Sequence, residues 1–90
     1  MDEYEEILAS KRAIRILSIV AEFQELSITE LVRKAGIDHV IADKIVKQLT
    51  GFGLLYEEYH GRSRLIKPNF RSYNILFIKN QGVETQLTQV

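Results

Sequence analysis

Apolar residues near the start of the chain recur at helical spacing. Ile7, Ile14, Leu17 and Ala21 fall on one stripe, widened by Leu8, Ala13, Ile16, Val20 and Phe23. No Gly or Pro interrupts the run, so the spacing predicts one helix from about Asp2 to Phe23. The acids at its start suit the positive end of a helix dipole. Its apolar face is wide enough to cover a core on one side and meet a second subunit on the other.

Ser27 followed by Glu30 has the spacing of a capping box, which begins a short second helix from Ile28 to about Lys34. Ile28, Leu31 and Val32 form its inward side. Ala35-Gly36-Ile37 is a turn, with Gly36 able to take the left-handed conformation that stops a helix. Asp38 caps a third helix running to about Thr50. Ala42, Ile45, Val46 and Leu49 make its inner stripe, and Gly51 and Gly53 end it.

The pattern then changes from helical spacing to short β-rich runs. Leu54 to Tyr59 and Arg64 to Lys67 read as antiparallel strands around a His60-Gly61-Arg62-Ser63 turn. Pro68-Asn69 closes the hairpin. Beyond it the pattern supports two readings. Phe70, Tyr73 and Phe77 suit a short helix capped by Asn69, whereas Tyr73, Ile75 and Phe77 suit a strand. The preferred expectation is a short helix. Residues 81–90 read as a flexible polar tail.

Helix, turn, helix and basic hairpin in this order are the plan of a winged helix-turn-helix. The expected class is therefore α+β, mainly α: a three-helix core, a β-hairpin wing and a short C-terminal element. One domain is expected over residues 1–80, with the helix-turn-helix at 27–50 and the wing at 54–67. Ninety residues suit a single domain. No apolar run approaches the ~20 residues of a membrane helix. The acidic N-terminus is unlike a signal peptide. There is no cysteine, which excludes disulfides and thiolate metal sites. A cytoplasmic protein is the expectation.

Net charge is zero, but it is unevenly spread. Residues 1–32 carry net −4 and residues 33–79 net +5. The basic segment coincides with the helix-turn-helix and hairpin, although such charges also serve simply to solvate a surface.

The stretch Gly36 to Leu55, GIDHVIADKIVKQLTGFGLL, resembles the MarR/ArsR-type winged-helix transcriptional regulators. Gly36, Ile37, Val46, Leu49, Gly53, Leu54 and Leu55 meet the family's glycine and apolar positions, and Asp38 replaces its usual capping Ser. The match covers about residues 10–69 and identifies a superfamily. Ile41, Ala42 and Asp43 depart from the Thr-Val-Ser often found there. The resemblance implies a DNA-binding regulator that lays the third helix in the major groove and the 60–64 wing on the backbone.

The groove side of that helix would present His39, Val40, Ile41, Asp43, Lys44, Lys47 and Gln48. Gln pairs with adenine, Lys reaches guanine or phosphate, and Val and Ile meet thymine methyls. Asp43 repels phosphate unless it accepts from cytosine or neutralises Lys47. On the wing, Arg62 and Arg64 lie two apart and are expected to project from one face. The expected DNA contacts are Ser27, Thr29, His39, Val40, Lys44, Lys47, Gln48, Arg62, Ser63 and Arg64.

His39 and His60 stand on different elements without further ligands, so neither a metal nor a cofactor is expected. No nucleophile–base pair, phosphate loop or acid pair points to an enzyme. The expected partners are double-stranded DNA and a second copy of the chain, joined through the first helix and residues 70–78. The alternative is a protein-docking winged helix that binds no DNA, with Val40 and Ile41 marking the docking surface. A ligand- or metal-sensing repressor is a third reading, with no cysteine thiolate sensor and with room for an effector only at a dimer interface.

Overall fold

The computed structural model describes residues 3–71. The helix expected from Asp2 to Phe23 is two helices, α1 (Glu3–Ala9) and α2 (Lys11–Phe23). Ser10 makes the break. Its backbone is extended (φ −76°, ψ 125°), and its hydroxyl accepts from the Ala13 amide at 3.2 Å, capping α2. A serine that satisfies an orphan amide starts a helix as effectively as a glycine ends one. α2 itself ends at Gln24, which takes a left-handed conformation (φ 65°) while its amide donates to the Val20 carbonyl at 2.7 Å.

β1 (Leu26–Ser27) leads directly into α3 (Ile28–Ala35), followed by α4 (His39–Gly51). The capping box at the start of α3 is complete. Glu30 N–H donates to Ser27 Oγ at 3.1 Å, and Ser27 N–H donates to Glu30 Oε1 at 3.0 Å. Gly36 follows α3 at φ +66°, where its amide satisfies the Val32 carbonyl at 2.9 Å. Asp38 then caps α4 by accepting from the Val40 and Ile41 amides at 3.0 and 3.4 Å.

β2 (Leu55–His60) and β3 (Ser63–Pro68) form the hairpin. Gly61 and Arg62 alone make its turn, with His60 opposite Ser63 and Gly61 at φ +63°. β1 adds a third strand that the sequence pattern did not predict. It pairs antiparallel with β3, Leu26 opposite Ile66 and Ser27 opposite Leu65, so the sheet order is β1-β3-β2.

One apolar core joins these elements. Ala13, Ile16, Leu17 and Val20 of α2 meet Leu31 of α3, the predicted Ala42–Ile45–Val46–Leu49 stripe of α4, and Leu26, Leu54, Leu55 and Ile66 of the sheet region. α1 contributes Ile7. Phe70 and Arg71 have helical backbone. The remainder of the 70–80 expectation, the 81–90 tail and most of the expected dimer segment 70–78 lie outside the described residues. No helix among the described residues is long and apolar enough to cross a membrane.

Candidate nucleic-acid interface

With its apolar stripe in the core, α4 turns its other side outward. His39, Val40, Lys44, Lys47 and Gln48 are all exposed, Val40 at 74%. Ile41, expected on this side, instead packs partly against the core. Thr29 is exposed in the first turn of α3. Ser27 is half-buried and commits its oxygen to the capping box.

The two wing arginines do not share a face. Arg62 occupies the two-residue turn, where strand alternation no longer applies, and is exposed beside Ser63. Arg64 stands in β3 opposite Tyr59, on the same sheet face as the buried Ile66. That face looks toward α4, and the guanidinium is drawn into it, leaving the side chain only 16% exposed.

Two carboxylates receive Arg64. Its Nε donates to Glu57 Oε2 at 2.7 Å, and its Nη1 donates to Asp43 Oδ1 on α4. Thr50 Oγ1 donates to the other oxygen of Glu57 at 3.4 Å, and Lys47 Nζ lies 3.3 Å from Asp43 Oδ2. The wing and α4 are thus joined by a chain of charged hydrogen bonds. The guanidinium holds both carboxyls below their usual range, and the Glu57 bond foremost, with Asp43, raises Arg64 further above its own. Asp43, Glu57 and Arg64 are therefore charged at neutral pH. Arg64 Nη2 is buried in the same place with no acceptor.

Sequence reasoning placed Asp43 beside Lys47 but missed Glu57, Thr50 and the inward turn of Arg64. A signal was available. In Leu55-Tyr56-Glu57-Glu58-Tyr59, Leu55 and Glu57 fall on one face of the strand. An acid on a core-facing position calls for a cation across the hairpin. Tyr59 was missed too. It lies on this inner face beyond the core edge and is 68% exposed.

On the opposite face, Lys67 bridges Glu58 at 2.8 Å and Glu25 at 3.4 Å, and Glu58 also meets His60 at 3.2 Å. His39 and His60 stand on separate elements, and no group of three or more potential metal ligands occurs among the described residues. Away from α4, an open groove of about 680 Å³ runs along α2, lined by Ile14, Ile19, Phe23, Arg15 and Lys34 among others. Lys34 Nζ sits 4.2 Å above the Phe23 ring.

No family model and no curated protein matches the sequence. Solved structures do match. The Bordetella bronchiseptica protein BpsR, whose DNA binding is regulated by 6-hydroxynicotinic acid, aligns with TM-score 0.71 at 14% identity, over 96% of this chain and 71% of that one. The homodimeric winged helix-turn-helix DNA-binding domain of Mb0332 from Mycobacterium bovis, a possible ArsR-family transcriptional regulator, aligns with TM-score 0.73 at 21% identity, over 91% and 75%. RV1404 from Mycobacterium tuberculosis aligns with TM-score 0.71 at 17% identity, over 89% of this chain and 56% of its own. At these identities the likeness is one of fold, and the chain has the winged helix-turn-helix fold that its hydrophobic pattern predicts.

Proposed function

We propose that this protein is a homodimeric transcriptional regulator that binds double-stranded DNA, with α4 in the major groove and the hairpin tip on the backbone. The observation that carries the reading is the outward side of α4. Lys44, Lys47, Gln48 and His39 are exposed there together, at the open end of a helix-turn-helix. Gln48 suits adenine and Lys44 suits guanine, while Val40 offers an apolar contact to a thymine methyl. Arg62, Ser63, Thr29 and Ser27 are assigned to phosphates. BpsR and the Mb0332 domain, both DNA-binding, share the fold and support the reading by analogy. Dimerisation is assigned to the outer side of α1 and α2, together with residues 70–78. Phe23 is 45% exposed there. A twofold dimer would set its recognition helices about 34 Å apart and read a short inverted repeat.

The test is fluorescence anisotropy with labelled duplexes across a salt series. Binding that weakens linearly in log–log form supports the reading. Absence of duplex binding at low salt overturns it. The second reading, a protein-docking winged helix, is favoured by Val40 alone, the most exposed apolar side chain on α4. It predicts that Val40→Ser abolishes partner binding while duplex DNA is never retained.

A further inference from the structure

Asp43 is the one acid on the outward side of α4 below its cap, and it is 28% exposed. An anion at this point opposes any phosphate that approaches the junction of helix and wing. It also occupies two cations that would otherwise attract one. Lys47 lies one helical turn further along α4 at 3.3 Å, and Arg64 reaches over from the wing. With Glu57, the four side chains sum to zero charge. This part of the basic segment is therefore electrically neutral in the free protein.

The geometry points to Asp43 as a specificity-determining residue: it withholds Arg64 and Lys47 from the phosphate backbone, so that general attraction to DNA stays weak and base contacts on α4 decide where the protein rests. The inference depends on the DNA-binding reading above. Sequence-independent attraction scales with the number of phosphates that cations neutralise, each adding about 0.9 to the salt slope on duplex DNA. Two paired cations are two such contacts forgone. Without the Asp43 charge, Arg64 would keep Glu57 through Nε. Its Nη1 would lose a charged acceptor, and its Nη2 already lacks one. With that hold gone, rotation of the guanidinium out of its buried position brings two adjacent donors to the surface as the fork that suits a phosphate.

Asp43→Asn removes the charge at constant shape. The expected result on nonspecific duplex is tighter binding, with a salt slope steeper by about 1–2 and affinity falling roughly tenfold more than wild type between 50 and 200 mM salt. The ratio of specific to nonspecific affinity, measured on a site chosen by binding-site selection, should fall. Adding Lys47→Gln to the variant should take back part of the steeper slope. Glu58→Gln is the control, because Glu58 lies on the far face of the sheet, paired with Lys67. It removes the same charge and should leave the slope unchanged. A thermal melt verifies that each variant is folded. Wild-type binding with an unchanged slope in folded Asp43→Asn overturns the inference and leaves DNA binding standing. So does an equal gain from Glu58→Gln, which would reduce the effect to net charge. Should neither wild type nor any variant bind duplex DNA, the functional reading falls and takes the inference with it.

Discussion

Arg15 of α2 donates its Nε to the carbonyl oxygen of Ala35, the last residue of α3, at 2.8 Å. The final carbonyls of a helix have no partner within it, and the negative end of the helix dipole lies there. One guanidinium serves both needs and ties the scaffold helix to the start of the helix-turn-helix turn. Arg15→Met keeps the apolar stem and removes the bond. It should lower stability by about 1 kcal/mol in urea denaturation. A change near zero would mean that solvent serves the carbonyl equally well.

Gln24 is the one non-glycine residue at positive φ among the described residues. Its side chain is exposed, so nothing packed is lost by removing it. Gln24→Gly should raise the melting temperature, with a gain of about 0.5–1 kcal/mol, because glycine adopts the left-handed C-cap without steric cost. Destabilisation would show that the greater freedom of an unfolded glycine outweighs the relieved strain.

Acid should loosen the junction between wing and α4. Asp43 and Glu57 both titrate below their ordinary values of 3.8 and 4.5, chiefly because Arg64 donates to them. A depressed folded-state pKa gives stability that is complete above the ordinary range and lost as pH falls through the folded values. Arg64 keeps its proton throughout. Urea midpoints measured from pH 6 downward should therefore decline below about pH 4.5. The decline should be shallower in Arg64→Gln. Parallel curves for the two proteins would contradict the assignment.

The two wing arginines should behave differently toward DNA. Arg62 is exposed in the hairpin turn, and Arg64 is neutralised by its two acids. Arg62→Ala should flatten the salt slope by about 0.9. Arg64→Gln should change it far less and act mainly on stability. Equal flattening in the two variants would mean that Arg64 leaves its carboxylates when DNA arrives.

The outer side of α2 should carry the dimer contact. Phe23 projects there, exposed, beneath Lys34. Phe23→Glu should shift the molar mass seen by light scattering at micromolar concentration from about twice 10.4 kDa to the single-chain value. A wild-type chain that is already monomeric at this concentration removes the proposal.

The helix-turn-helix was legible because its determinants are local. The Ser27–Glu30 box, Gly36 and the Asp38 cap each declare themselves within four residues, and the α4 stripe within eight. The Ser10 break was hidden by an uninterrupted apolar stripe, since Ile7 and Ile16 are both buried on either side of it. β1 is two residues long, too short to display alternation. Arg64 was read as a free cation because Asp43 lies 21 residues away, a separation across which only the fold brings charges together. What the sequence pattern shows well is which side of an element faces inward. Which polar groups then meet is settled by register and helix packing.

The β1–β3 ladder also bears on how the chain reaches this state. Hairpin β2–β3 closes through two turn residues, whereas Leu26 must find Ile66 across forty positions of chain. Loop-closure entropy makes the second pairing the later one. In folding order the β2–β3 pairing is therefore expected before the β1–β3 pairing. The hairpin's attachment beside the entrance of α3 is expected once α2, α3 and α4 have gathered around Leu31 and Leu49. The sheet becomes the final clasp of the domain, and amide exchange in β1 at Leu26, rather than at Ser27 whose N–H serves the capping box, should report the last bonds made and the first released.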